Sequence, residues 1–228
     1  MQLSIRLAAV SELAKNANRL ADIGTDHGYV PIFLMLQGRL QHAIAMDINR
    51  GPLLRAQEHI RQYHLEDRIE TRLSDGAKEL RPNEVDTVVI AGMGGPLMIK
   101  ILTEGAANLS GVKTFVLQPQ SELELFRRFL HQQEYSIVEE AMVKDEGKYY
   151  PMMKVVRGRQ EAWEDFEYCY GKFLIEQQNP CLLEFLDKEE KMYSRILASL
   201  ALKTGENIRA REIQIQNSIA MIRRAKGV

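Results

Sequence analysis

Asp22-Ile-Gly-Thr-Asp-His-Gly-Tyr29 is the stretch on which the reading of the fold turns. Ahead of it, Arg19-Leu-Ala-Asp-Ile-Gly24 reads as a short buried strand. Behind it, Val30-Pro-Ile-Phe-Leu-Met-Leu36 is apolar and stops at Gly38, as the helix of a βα unit does. The turn between them holds Gly24 and Gly28 beside Asp26 and His27. Glycine has no Cβ, so it lets the backbone turn tightly and lets a ligand approach. A helix that starts beyond such a turn offers free N–H groups and the positive end of its dipole. The stretch therefore predicts a ligand cradle at the end of a first strand.

The chain repeats this grammar outward from the cradle. Before it, Leu3, Leu7, Val10, Leu13, Ala14 and Ala17 are spaced as on a helix running from Leu3 toward Leu20. After it, His42–Asp47 is a second apolar strand ending in a carboxylate, and a helix follows over Leu53–His64. Arg68–Leu73 alternates as a strand and runs into Ser74-Asp75-Gly76. Glu84–Ala91 is a β-branched run, as in a buried central strand, and ends in Gly92-Met-Gly-Gly95. Helix Leu97–Leu109, strand Lys113–Leu117 and helix Leu123–Gln132 complete five expected βα units. Then the rhythm changes. Tyr135–Val143 and Tyr149–Arg157 are extended runs joined by an Asp-Glu-Gly junction, a hairpin signal. Parallel βα units closed by a hairpin predict a class I methyltransferase, Rossmann-like α/β sheet: mostly parallel, with a terminal antiparallel strand. An NAD-type fold continues βαβ instead.

From Glu161 on, no strand pattern remains. Leu182, Leu186, Tyr193, Ile196 and Leu200 form one seam, and Ile208, Ile215, Ile219 and Ile222 a second, with a Lys203–Glu206 turn between. This predicts a C-terminal coiled-coil-like helical hairpin. The expected domains are 1–158 for the methyltransferase sheet and 159–228 for the helices. Charge divides along the appendage. Residues 161–190 carry nine acids and two bases, net −7, and residues 203–228 six bases and two acids, net +4. That late basic cluster is either a solvated face or a grip on an RNA backbone.

Composition narrows the class. Hydrophobic residues make up 45% of the 228 and charged residues 27%, ordinary for a globular protein with a full core. A net charge of −1 leaves only local basic surface for nucleic acid. The two cysteines, Cys169 and Cys181, have no metal-ligand spacing, so no metal is expected and a reducing cytoplasm is the simplest setting. The N-terminus lacks an apolar leader, and no run approaches the ~20 apolar residues of a membrane span.

Strand ends now converge. Gly24–Tyr29, Asp47–Asn49, Ser74–Gly76 and Gly92–Gly95 all lie where open parallel sheets bind ligands. Asp47 follows Gly24 at close to the ~20 residues that separate a glycine turn from a ribose-binding acid. Asp47, with Ile48 beside it, is the ribose candidate; Asp75 and Gly76 would meet the adenine, and Gly92 would bring backbone near the ligand. Asp26 stands where a dinucleotide fold has its middle glycine. A carboxylate there repels a pyrophosphate and attracts the ammonium and sulfonium of S-adenosylmethionine (SAM). Asp22 either bonds to its own turn or contacts that ammonium.

With these residues in place, the sequence resembles the bacterial tRNA adenine-22 N1-methyltransferases, class I SAM-dependent enzymes. The resemblance spans nearly the whole chain. It is carried by Leu3-Ser4-x-Arg6-Leu7, Asp22-Ile-Gly-Thr-Asp-His-Gly-Tyr29-x-Pro31, Asp75-Gly76, Ala91-Gly-Met-Gly-Gly95, Gln118-Pro119 and Gly147-Lys-x-Tyr150. It implies methyl transfer from SAM to N1 of an adenine in tRNA, at position 22. The donor set is then Asp22, Gly24, Asp26, Gly28, Asp47, Ile48, Asp75, Gly76 and Gly92. Asp26 would stabilise the charge that develops on the base, His27 would bond to its exocyclic amine, and Tyr29 would stack on it. Arg6, Met93, Gly94, Gln118, Pro119, Tyr149 and Tyr150 form the expected acceptor side. Readings that stay open beside this one are a methyltransferase for another RNA base or a small molecule, and a non-catalytic RNA-binding module on the same fold.

Overall fold

The computed structural model describes residues 1–201 and 205–227. It divides into two compact units, Met1–Glu161 and Ala162–Val228.

The first unit is built on a seven-stranded sheet in the order β3-β2-β1-β4-β5-β7-β6. Its strands are β1 (Arg19–Ile23), β2 (His42–Asp47), β3 (Ile69–Leu73), β4 (Thr87–Met93), β5 (Thr114–Pro119), β6 (Tyr135–Asp145) and β7 (Lys148–Arg157). The first five pair parallel, and β7 runs antiparallel to both β5 and β6. This is the expected mostly parallel sheet closed by an antiparallel strand. The order reverses at β1: the chain moves out through β2 to β3, then returns to β4 on the other side. The carboxyl ends of β1 and β4 therefore flank the switch-point crevice where such sheets bind ligands.

The helices of this unit are α1 (Ile5–Leu13), α2 (Tyr29–Leu36), α3 (Arg50–Gln62), α4 (Gly95–Glu104) and α5 (Leu123–Gln132). Leu20, Ala43, Ala45, Val89 and Val116 of the sheet are buried with Val10, Leu13, Val30, Ile32 and Leu34 of α1 and α2. Burying such side chains at ~25 cal/mol per Å² is the main term holding the layers together.

Two expectations need correcting. The opening helix ends at Leu13 rather than continuing toward Leu20, because β1 begins at Arg19. Asp86 fixes that start by accepting from the backbone N–H of Asn18 at 3.2 Å and of Arg19 at 2.9 Å. The third unit has no helix either: the chain crosses from β3 to β4 through turns. Arg72 pairs there with Glu84 and Glu70, each at 2.8 Å, and donates to the Glu79 carbonyl at 2.8 Å. The Arg72 guanidinium holds the Glu84 carboxyl down to about 2.

The second unit is helical: α6 (Asp165–Tyr170), α7 (Lys172–Glu176), α8 (Pro180–Leu200) and α9 (Glu206–Lys226). Pro180 opens α8 behind Asn179, whose side chain accepts from the N–H groups of Cys181 and Leu182 at 3.0 and 3.1 Å. Proline at the first helical turn with an Asn cap is a standard start signal. The predicted seam is present. Leu200, Ile215 and Ile219 are buried together, with Tyr193, Ile196, Leu197 and Ile208 packed against them. Residues 203 and 204 of the expected turn lie outside the described residues.

Candidate active site

The first strand delivers the cradle. Asp22 lies near the end of β1 and is only 7% exposed. Its carboxylate accepts from Thr25 Oγ1 at 2.6 Å. Burial pushes its pKa up to about 6; the nearby Asp47 charge adds to this, while the Thr25 bond and Arg6 oppose it. A carboxyl raised mainly by desolvation lacks an adequate cation, and such groups mark candidate sites. Past Asp22 the backbone swings across to β2: Gly24 N–H and Thr25 N–H both donate to the Met46 carbonyl at 2.8 Å. Gly24 has φ +78°, and a Cβ there would lie 1.9 Å from Met93 Cε. The position favours glycine for its backbone angle, while the flexible Met93 tip rests where a Cβ would lie. The Met93 tip thus rests against the turn after β1.

The turn then comes to the surface. Asp26 is exposed, and its carboxylate lies 3.0 Å from Arg55 Nη2 and 3.4 Å from His27 Nε2. The rings of His27 and Tyr29 stack with centroids 5.0 Å apart and planes 6° apart. His59 of α3 closes a three-ring cluster, 5.1 Å from His27 and 5.3 Å from Tyr29.

Asp47 ends β2 and accepts from Asn49 N–H at 2.7 Å, while Ile48 between them is 60% exposed. Asp75 pairs with Lys78, whose ammonium holds the carboxyl below the ordinary range. Lys78 in turn reaches Glu104 at 3.1 Å. Asp75 is therefore already paired with a cation. Gly76 has φ +62°, with Ile101 close beneath it.

At the end of β4 the sheet register shifts between Ala91 and Met93, around Gly92 at φ +85°. Gln118 at the end of β5 is fully buried and ties this region together. Its Oε1 accepts from Gly92 N–H at 3.1 Å and from Arg6 Nη1 at 3.3 Å, and its Nε2 donates to the Pro119 carbonyl at 3.3 Å. The carboxamide oxygen is thus committed to Gly92 and to Arg6 of α1. Pro119 is buried beside it. Gly94 caps α4 without a side chain. Arg6 is held at both ends: its N–H donates to Asp145 at 3.0 Å, and its guanidinium lies 5.6 Å from the Tyr150 ring. Tyr149 instead carries Lys144, 5.4 Å from its ring centre. Arg6, Gln118, Gly92 and Tyr150 thus form one group. Asp22, Gly24, Gly28 and Asp47 share the neighbouring ends of β1 and β2. Asp75 sits further out at β3.

Sequence reading missed two residues. Arg55 and His59 stand one turn apart on α3 and both reach the Asp26–Tyr29 turn. The available signal was their i, i+4 spacing on a helix that follows a strand-end carboxylate.

A SAM site fits these residues on their own chemistry. Beneath the glycine turn lies a buried carboxyl short of a cation, with a second carboxylate at the next strand end. Among the described residues, no group of three His, Cys, Asp or Glu side chains is placed to hold a metal ion, and no helix is long and apolar enough to cross a membrane.

Residues 20–224 match the family model described as TrmK, tRNA (adenine(22)-N(1))-methyltransferase. This chain belongs to that family. The tRNA (adenine(22)-N(1))-methyltransferase of Bacillus subtilis is 32% identical over 216 residues, which cover 91% of this chain and 90% of the relative. Among solved structures, Sp1610 of Streptococcus pneumoniae in complex with S-adenosyl-L-methionine superposes with a TM-score of 0.88 at 27% identity, covering 99% of this chain and 100% of that one. TrmK of M. capricolum in complex with S-adenosyl-homocysteine gives 0.84 at 27% identity, covering 100% and 99%. The family is one of SAM-dependent methyltransferases, so the expected enzyme class and donor stand.

Proposed function

We propose that this chain transfers the methyl group of SAM to N1 of adenine 22 in tRNA, within residues 1–158, in the cytoplasm. The observation that carries the reading is the two-sided turn after β1. Its buried half places Gly24 beside the desolvated Asp22 carboxyl. Its exposed half presents Asp26 and the stacked rings of His27 and Tyr29.

SAM supplies an electrophilic methyl on a sulfonium. The chain supplies the rest. Asp22 takes the ammonium, which relieves the penalty of its burial. Asp47 accepts from the ribose hydroxyls, and the glycines at 24 and 92 let backbone come close. Adenine N1 has its own lone pair, so positioning matters more than a strong base. N1 is available only when unpaired, so the base must leave its stack. Tyr29 offers a ring face for it. Attack puts positive charge on the adenine, and the Asp26 carboxylate lowers the energy of that charge. His27 holds the exocyclic amine by a hydrogen bond. Gln118 keeps the β4 and β5 loops in register, and Arg6 is braced between Gln118 and Tyr150.

The test is methylation of a tRNA transcript, with the modified base located by a reverse-transcription stop. The expected result is a stop at adenine 22 that disappears when position 22 is guanine. Continued methylation of the guanine-22 transcript would mean that the position is wrong.

A further inference from the structure

The Asp26–Tyr29 turn is held in a conformation that one of its residues disfavours. His27 and Gly28 both have positive φ, 63° and 67°. Glycine enters that region freely; a histidine does so less readily. A side-chain-bearing residue there carries a local cost that its surroundings offset.

Those surroundings come from one face of α3. Ala56 lies against Gly28, whose Cβ, if present, would sit 3.4 Å from the Ala56 Cβ. Arg55 holds the Asp26 carboxylate at 3.0 Å. His59, one helical turn beyond Arg55, meets His27 twice: its Nδ1 lies 3.0 Å from the His27 carbonyl oxygen, and the two rings stack. A carbonyl oxygen only accepts, so this contact requires the hydrogen on His59 Nδ1. The His59 ring also lies against Tyr29. Bulk alone would serve packing, but His59 is only half-buried and adds a directional bond.

The side chain that His59 secures has unused hydrogen-bonding capacity. His27 Nδ1 is buried and has no hydrogen-bond partner. Buried polar atoms are nearly always satisfied, so this nitrogen calls for a partner that the protein itself does not supply.

We propose that His59 is a positioning residue for methyl transfer: it fixes the His27 carbonyl and ring, and the Tyr29 ring, so that the unpartnered His27 Nδ1 stays available to the target base. The proposal rests on reading the Asp26–Tyr29 turn as the acceptor side of a tRNA methyltransferase.

The test compares the full chain with His59→Ala, His59→Phe, His27→Ala and the His27→Ala/His59→Ala pair. Calorimetry gives the SAM Kd, steady-state assays on a tRNA transcript give kcat and KM, and melting curves report the fold. His59→Ala is expected to lower kcat about tenfold while the SAM Kd and tRNA KM stay within about twofold, the signature of a misplaced reacting geometry. His59→Phe keeps a ring and loses the donor, so it falls between wild type and His59→Ala. In the His27→Ala background the His59→Ala loss shrinks to about threefold or less, because residues acting as one unit are not additive. An unchanged kcat in His59→Ala, or an equal loss in both backgrounds, overturns the proposal. If His59→Ala melts far below wild type, His59→Phe decides, and a full kcat there overturns it. A wild-type protein that leaves the transcript unmethylated would instead overturn the underlying functional reading.

Discussion

The two units of the chain handle charge in opposite ways. In the sheet unit, important charges are buried. Asp22 lies under the glycine turn, and Arg127 pairs with Glu140 at 2.9 Å with side chains only 1% and 0% exposed. In the helical unit, acid and base meet within reach of solvent. Arg223 pairs with Glu190 at 2.9 Å, Lys226 with Asp187 at 2.7 Å and Glu190 at 2.9 Å, and Arg224 with Glu164 at 3.5 Å. A buried charge is costly unless something compensates it, whereas an exposed pair contributes little. The contrast shows where a ligand can gain free energy. The Asp22 carboxyl still lacks a full counter-charge, and a cationic donor supplies one. Arg223, Arg224 and Lys226 already have their anions. The sequence left this cluster open between a solvated face and an RNA grip. For these three of its six bases the pairing favours a surface neutralised within its own unit, whereas Arg211 donates to Gln214 at 2.6 Å.

That contrast can be broken at several points. The largest effect is expected in the core of the sheet unit. Glu140→Ala removes one partner of a buried pair and should cost about 3–5 kcal/mol, read from urea unfolding. A cost below about 1 kcal/mol would mean that burial does not set the value of charge here.

Next comes Asp47→Ala, which removes a carboxylate acceptor for the ribose. A loss of about 2–3 kcal/mol, or roughly 100-fold in SAM Kd, is expected by calorimetry with little change in melting temperature. A Kd within about threefold of wild type would take Asp47 out of the donor site.

Smaller and more diagnostic is the pH dependence. The folded Asp22 value of about 6 lies above the ordinary 3.8. The ligand-free fold is therefore favoured with this carboxyl protonated, and that stability is lost as pH rises through about 6. An ammonium bound beside the carboxylate offsets the loss, so SAM binding should tighten about tenfold between pH 5 and 7. The Asp22→Asn variant should show a flat profile. A parallel slope in both proteins would remove Asp22 as the ammonium ligand.

The smallest effect is expected at the surface of the helical unit. Arg223→Ala with Lys226→Ala should move the melting temperature by no more than about 3 °C and the tRNA KM by less than about twofold. If the salt dependence of tRNA binding instead falls by about one per residue, the pairs open onto RNA and the contrast fails.

Much of this arrangement was legible in the sequence. His42–Asp47 and Leu123–Gln132 fall where periodicity and turn residues place them, because local pattern and burial agree there. The carboxylates and glycines at the strand ends were legible because a parallel sheet gathers such ends into one crevice. The missing third helix was not legible: Arg72 and its carboxylates organise that crossover, and periodicity does not report ion pairs. Arg55 and His59 were hidden for a related reason. Their partners lie 29 and 32 positions away, across a helix whose apolar stripe explains its packing but not its polar face. Arg6 stood out through the Leu3-Ser4-x-Arg6-Leu7 motif of the resemblance, but its ties to Gln118, Asp145 and Tyr150 arise from the closed sheet.

The central claim is that one turn serves two ligands, with the donor on its buried half and the adenine on its exposed half. Asp26→Ala tests this most directly, with SAM Kd and kcat on the tRNA transcript measured on the same preparation. The account predicts a kcat lower by about 100-fold with a SAM Kd within about threefold of wild type, since Asp26 acts on charge that appears only during transfer. Lost SAM binding with an intact kcat at saturating donor would contradict it and make Asp26 a donor ligand alone.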